Sequence, residues 1–421
     1  MTKEYLPRII DKKLELYLRT FGAVLIEGPK WCGKTTTASK VARSKLKMQE
    51  PSQLSNNLRI ANAAPQLLLE GDNPRLIDEW QVAPILWDAV RDYVDEKSET
   101  GMFILTGSTT PPKDSVMHTG TGRFGRLLMR PMSLYESGES NGKVSLNELF
   151  QGRNLMQCKS DISINHLAYL ICRGGWPQAI NKNEESSLLL AKEYVKNIVN
   201  QDINLIDGTK KDPARLNSFL KSYSRNLQTL TKNTTLLEDM KANDLTIDSS
   251  TLYSYISALQ KIFVIEETPA WAPNIRSKTA IRTSNKKGFI DPSIATAVLG
   301  RSPKTLLNDF ELFGLLFESL CIRDLRVYSD ALEGSILHYR DDYGLECDAI
   351  IQKEDGLYAL VEIKLGGKEE DIAAQHLLEL EELLLSKGYP RPSFKMILTG
   401  GEFCYKRDDE VIVVPLGCLK P

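Results

Sequence analysis

Apolar positions along the first third of the chain fall in short blocks whose period changes repeatedly. Residues 6–18 space their apolar side chains as an amphipathic helix does. Ala23-Val24-Leu25-Ile26-Glu27 is a short continuous run, the pattern of a strand buried on both faces. A glycine-rich stretch follows, and helical spacing resumes over 34–46. The runs at 75–78 and 102–106 read as further strands, and 85–94 between them reads as a helix. Strand and helix in alternation predict a parallel sheet covered by helices on both faces.

From residue 146 the pattern turns mostly helical, with segments at 188–203, 216–227, 235–243 and 249–261. Beyond 301 it changes again. A helix over 306–323 precedes strands at 335–339, 346–352 and 357–363, and a helix over 369–386 precedes strands at 394–398 and 411–414. The expected fold class is therefore α/β in four parts: a parallel-sheet domain over 1–145, a helical lid or linker over 146–210, a winged-helix-like domain over 211–300 and a second α/β domain over 301–421.

Composition narrows the class. The 421 residues are 42% hydrophobic and 26% charged, which is globular usage. Lys and Arg total 53 against 55 Asp and Glu, so any nucleic-acid surface must be a local patch. Seven cysteines without Cys-x-x-Cys spacing exclude a zinc ribbon and are expected to be reduced thiols. No apolar run approaches the ~20 residues that span a bilayer, and no secretory signal is legible. The cytoplasm is the expected compartment.

Gly28-Pro29-Lys30-Trp31-Cys32-Gly33-Lys34-Thr35 lies between a predicted strand and a predicted helix. That is the context in which such a pattern cradles phosphates. The glycines let backbone N–H groups converge on phosphate oxygens, and the helix N-terminus adds positive potential. Lys34 would reach the β- and γ-phosphates of ATP, and the Thr35 hydroxyl would ligate Mg²⁺. With Thr36, residues Gly28 to Thr35 form the expected nucleotide-binding set. Downstream, Leu76-Ile77-Asp78-Glu79 ends an apolar strand in two acids. Asp78 would hold the metal ion and Glu79 would orient the attacking water. Ser108, or Thr106, ends a third strand within reach of the γ-phosphate. Arg123 is the first candidate for the guanidinium beside that phosphate, and Arg126 the second.

These residues resemble a known family. Together with Leu76-Ile77-Asp78-Glu79-Trp80-Gln81, Leu105-Thr106-Gly107-Ser108, Gly122-Arg123, Arg130-Pro131-Met132-Ser133-Leu134-Tyr135-Glu136 and Gly174-Gly175-Trp176-Pro177, the loop resembles that of bacterial and archaeal AAA+ ATPases. In those proteins the C-terminal domain was long catalogued as of unknown function. The resemblance covers nearly the whole chain and implies nucleotide binding on a P-loop fold. The chain departs from it at Thr119-Gly120-Thr121, where the family carries a Ser-Leu-Ala-like stretch.

In the middle region, two predicted helices joined by a short turn and followed by an apolar run at 262–266 that reads as a strand have the order of a winged helix. Arg276, Lys278, Arg282, Lys286 and Lys287 supply a basic wing, so DNA is an expected ligand. The second helix offers one Lys and few base-reading side chains, so docking of a protein partner or self-association stays open.

In the last region, Asp348 lies on one strand, and Glu362 and Lys364 lie on one face of the next. Glu318 stands on the preceding helix. Two carboxylates near a Lys can hold Mg²⁺ and orient water. The set Glu318, Asp348, Glu362 and Lys364, with Gln375 on the following helix, is similar to the restriction-endonuclease-like core, as the family resemblance also implies. The expected function is ATP hydrolysis coupled to this nuclease-like domain. The alternative is a nucleotide-dependent switch or docking module whose nuclease-like domain is inactive. A small-molecule kinase is a third reading, and it lacks a separate acceptor-binding motif.

Overall fold

A computed structural model of the chain describes residues 5–109, 120–205, 211–242, 246–272 and 284–421. Its backbone gathers into two compact units. The first comprises Met1–Pro131, Asn200–Lys210 and Ser257–Val264, and the second Met132–Val199, Lys211–Ile256 and Ile265–Pro421. The segments 146–210, 211–300 and 301–421, expected as separate domains, thus contribute mostly to one unit.

In the first unit, α1 (Ile10–Thr20), β1 (Ala23–Glu27), α2 (Lys34–Val41), β2 (Ser44–Lys47), α3 (Leu54–Ala63), β3 (Arg75–Asp78), α4 (Ile85–Lys97), β4 (Phe103–Gly107) and β5 (Phe124–Leu128) follow in order. The five strands form one parallel sheet, ordered β2-β3-β4-β1-β5. Alternate side chains of β1 divide between its faces, as the pleat requires. Ala23 and Leu25 pack with Leu86, Trp87 and Val90 of α4, while Val24 and Ile26 pack with Leu14 of α1 and Ala38 of α2. The helix expected over 34–46 ends at Val41, and its tail is the edge strand β2. Ser44-Lys45-Leu46-Lys47 buries none of its side chains fully, so no apolar run announces it.

The second unit opens with two short strands, β6 (Val144–Ser145) and β7 (Cys158–Lys159), and a short helix between them, α5 (Leu146–Phe150). The middle region of the chain then holds α6 (Ile164–Arg173), α7 (Glu184–Asn200), α8 (Pro213–Arg225), α9 (Asn233–Lys241) and α10 (Ser249–Lys261), the last of which passes into the first unit from Ser257. The strand expected at 262–266 is absent; isolated antiparallel bridges join Ile265 to Phe289 and Thr268 to Lys286. Two short helices, α11 (Ser293–Val298) and α12 (Pro303–Leu306), lead into α13 (Phe310–Asp330). Then come β8 (Gly334–Arg340), β9 (Glu346–Lys353), β10 (Tyr358–Lys364), α14 (Glu370–Ser386) and β11 (Lys395–Thr399). The first three of these strands form an antiparallel meander, and α14 is the crossover that brings β11 parallel to β10. Further strands extend the sheet to seven. Helix α13 packs against β8, β9 and β10, and α14 against β9, β10 and β11. No described helix is long and apolar enough to cross a membrane.

A buried network ties this unit together. Arg323 on α13 donates to Asp291 (2.9 Å) and to Asp324 (2.7 and 2.9 Å). Asp291 also accepts from the backbone N–H of Gly175, at 2.9 Å, and Trp176 Nε1 donates to Ser293 at 2.9 Å. A side chain at Gly175 would stand 2.1 Å from the Met132 carbonyl oxygen, so only glycine permits that approach. The Gly-Gly-Trp-Pro motif is therefore structural, joining the segment after Pro131 to α13.

Candidate functional site

The loop between β1 and α2 forms because strand and helix must exchange direction over a few residues. Gly28, at φ +150°, would place a Cβ 2.2 Å from the Met129 carbonyl oxygen, so the exit of β5 closes against it. Gly33, at φ +105°, caps α2 in the left-handed region that glycine enters without strain. Lys34 is buried, and its ammonium donates back to the carbonyls of Gly28 (2.9 Å) and Pro29 (2.7 Å). Lys30 pairs with Asp202 at 2.7 Å, Cys32 is fully buried, and Thr36 is exposed on the first turn of α2.

Asp78, at the end of β3, meets this loop. Its Oδ1 accepts from the Thr35 hydroxyl at 2.7 Å and from the Thr106 hydroxyl at 2.6 Å. The parallel register sets Thr106 directly beside Asp78, so both arrive at the same sheet edge. Glu79 takes a left-handed conformation, φ +56°, which costs a non-glycine residue energy and is a mark of constrained sites. Its backbone N–H donates to Thr106, and its carboxylate accepts from the Gln81 amide and from Ser108 Oγ at 3.2 Å. A hydroxyl and a carboxylate on one edge are hard oxygen donors that suit Mg²⁺. Thr35 and Asp78 are the residues that would hold it.

Of the two arginines expected beside the γ-phosphate, Arg123 is carried to the opposite end of β1. The segment 124–128 is strand β5, parallel to β1, and Ala23 at the start of β1 donates to the Arg123 carbonyl. The loop lies at the other end of β1, roughly 15 Å away at the usual rise per residue. Arg123 instead pairs with Asp95 at 2.6 Å. Arg126 stands opposite Leu25, over the Trp87 ring, and 3.8 Å from Glu27. An arginine outside the expected set does reach the loop. Buried Arg8 donates to the carbonyls of Cys32 (2.8 Å) and Arg130 (2.7 Å), tying the loop to the exit of β5. The apolar spacing places it inside the first helix, which in the structure begins only at Ile10.

In the second unit the expected acidic set does converge. The β9–β10 register brings Asp348 beside Glu362, and the Ile363 N–H donates to Asp348 Oδ2 at 2.9 Å. Lys364 pairs with Glu362 (2.7 Å) and with Asp348 (3.3 Å). Glu318 arrives from α13. Gln375 does not join them; it donates to Glu379 on its own helix, at 2.7 Å.

A fifth group changes the site. Lys286, a member of the expected basic wing, is buried and donates to Glu318 (2.8 Å) and to Asp348 (3.1 Å). Burial alone would disfavour its charge, but the two carboxylates outweigh that and hold it more firmly protonated than usual. Burial pushes Glu318 up to about 7. Burial would likewise raise Asp348, but both ammonium groups and the Ile363 N–H keep it well below the carboxylate range. Glu362 is pushed up to about 8 by burial and by the charge of Asp348.

Ammonium groups engage most of the oxygens that a divalent metal ion would use in this arrangement. Mg²⁺ needs near-octahedral oxygen coordination, yet one oxygen of Glu318 and both oxygens of Asp348 face ammonium groups. Among the described residues Glu362 Oε1 has no hydrogen-bond partner, and no cluster of three or more His, Cys, Asp or Glu could hold a metal ion. The expectation that Glu318, Asp348 and Glu362 ligate Mg²⁺ does not fit this geometry. Lys287 is buried as well, paired with Glu267 at 2.8 Å, so it adds nothing to a basic surface. Arg276, Lys278 and Arg282 lie outside the described residues.

Comparison with known proteins gives three matches to family models. Residues 20–138 match an AAA domain, residues 164–305 a domain of unknown function (DUF8612), and residues 313–419 a domain of unknown function (DUF4143). No curated protein matches. Among solved structures, the Walker-type ATPase PABY2304 of Pyrococcus abyssi is 13% identical, with 71% of this chain and 97% of that one covered and a TM-score of 0.43. A half-complex of McrB AAA+ hexamers with bound McrC from Thermococcus gammatolerans is 11% identical, covering 49% and 72%, with a TM-score of 0.19. A STAND protein with a tetratricopeptide repeat sensor, PH0952 from Pyrococcus horikoshii, is 14% identical, covering 79% and 52%, with a TM-score of 0.19. Residues 20–138 thus resemble an AAA domain, and the loop between β1 and α2 lies within the matched segment.

Proposed function

We propose that the chain is a magnesium-dependent ATP hydrolase of the AAA type that works as a nucleotide-governed switch, with a docking unit of restriction-endonuclease-like fold. The observation that carries this reading is the hydrogen-bonded set at the sheet edge, in which Asp78 binds both Thr35 and Thr106. Lys34 and the N–H groups of the loop would bind the triphosphate. Mg²⁺, when bound, neutralises charge on the phosphate oxygens. Glu79, oriented by Gln81 and Ser108, would accept a proton from the attacking water. Arg123, at the far end of β1, takes no part within the chain; a guanidinium from another subunit is compatible with this arrangement.

Glu79→Gln tests the hydrolytic half. Turnover is expected to fall about a hundredfold, the low end for a lost general base, while ATP affinity stays within a factor of three. Retention of full turnover would remove Glu79 from the reaction. Measuring turnover with and without DNA and RNA then identifies the ligand class, since stimulation by one of them reports coupling.

A second reading, a nuclease, rests on the convergence of Asp348, Glu362 and Lys364 on adjacent strands, and it requires a metal ion to displace Lys286 from Glu318 and Asp348. Nicking of plasmid with Mg²⁺ or Mn²⁺ that disappears in Asp348→Ala and Lys364→Ala would decide for it.

A further inference from the structure

We infer that the Lys286 ammonium is the resident cation of the Glu318–Asp348–Glu362 site, standing where a divalent metal ion would otherwise bind. The inference deepens the docking reading of the second unit, and it does not depend on ATP hydrolysis in the first.

The ammonium lies between two carboxylates from different elements, 2.8 Å from Glu318 Oε1 and 3.1 Å from Asp348 Oδ1. A divalent ion within coordination distance of those oxygens would share their space with a fixed positive charge. The Lys364 ammonium engages the second oxygen of Asp348 and one oxygen of Glu362. Asp348 is therefore bound through both oxygens to lysines.

Lys286 is also held from behind. Its backbone exchanges two hydrogen bonds with Thr268, at 2.9 and 3.0 Å. Arg326 on α13 in turn fixes Thr268 and its neighbours, donating to the Thr268 hydroxyl and to the carbonyls of Glu266 and Glu267. A lysine on an exposed loop would change rotamer to admit a metal ion. This one has a clamped backbone and a buried stem, and leaving the site would cost it both carboxylate partners. Ammonium groups of the chain itself thus occupy the carboxylate set, which favours a structural role over metal-dependent chemistry.

Mn²⁺ binding decides the matter, read by loss of the free-ion electron paramagnetic resonance signal in the nucleotide-free full chain. Each protein is compared with its own Asp348→Asn version, so that ions at Thr35 and Asp78 cancel. For the wild type no Asp348-dependent Mn²⁺ site is expected. Lys286→Met is expected to gain one such site, with at least tenfold tighter binding and a melting temperature that Mn²⁺ raises. An Asp348-dependent site in the wild type would overturn the inference, and so would a folded Lys286→Met chain that gains none. If Lys286→Met fails to fold, the wild type decides alone. Its melting temperature should be indifferent to Mn²⁺, and a rise that Asp348→Asn or Glu362→Gln removes would sink the idea. Absence of plasmid cleavage would leave this result untouched, since the readout is metal occupancy.

Discussion

Lys34→Ala is expected to weaken ATP binding by about a thousandfold, because two charge-assisted hydrogen bonds of roughly 2 kcal/mol each disappear. The buried ammonium is held against Gly28 and Pro29, inside the loop where the β- and γ-phosphates would lie. Alanine leaves the loop backbone free to adopt the same path, since the conformation rests on Gly28 and Gly33. Displacement of a fluorescent nucleotide measures the loss, and circular dichroism melting checks that the first unit still folds. An affinity within threefold of the wild type would remove the loop from the nucleotide site altogether. Glu79→Gln should show the opposite signature, binding retained and turnover lost. The pair separates holding the triphosphate from activating water.

That loop is legible in the sequence because its chemistry is carried by consecutive residues whose order dictates their placement. Asp78 is legible for a related reason: a buried strand ends there, and parallel strands present their ends at one edge. Arg123 misleads because its placement depends on strand direction. Phe124-Gly125-Arg126-Leu127-Leu128 is a strand with a charged residue on its exposed side, and its amphipathic pattern is too short to distinguish strand from loop. Once it runs parallel to β1, Arg123 must lie at the far end from the phosphates. The edge strand β2 escapes notice for want of any buried side chain.

Lys286 shows a different limit. In sequence it stands among basic residues, where a solvated wing is the ordinary expectation. Its partners Glu318 and Asp348 are remote in the chain, and only the bridge to Thr268 aims it at them. The same remoteness hides Arg8, whose two acceptors lie on the loop and beyond β5. Local pattern reports which residues can be buried. It does not report which charges will meet there.

The clearest case of charges meeting in the interior is Arg323, and its removal should be the most damaging single change to stability. Arg323→Ala is expected to destabilise the second unit by about 3–5 kcal/mol, the range for breaking a buried ion pair on one side. The arginine is 2% exposed, and Asp291 and Asp324 are fully buried. Its loss strands two carboxylates in a medium that cannot solvate them. Each also anchors backbone elsewhere: Asp291 binds the N–H groups of Gly175 and Ser293, and Asp324 that of Leu134. Protonating the acids would restore neutrality but weaken those acceptors, so relaxation recovers only part of the cost. Domains typically have about 5–15 kcal/mol in hand, so the variant should melt far earlier in urea. Arg323→Lys should recover little, because a single ammonium cannot reproduce three hydrogen bonds to two acids. A loss below about 1 kcal/mol, the scale of an exposed pair, would mean that the network contributes no more than surface charge. The folding role of Gly174-Gly175-Trp176-Pro177 would then have to rest on the Met132 contact and on the Trp176–Ser293 hydrogen bond.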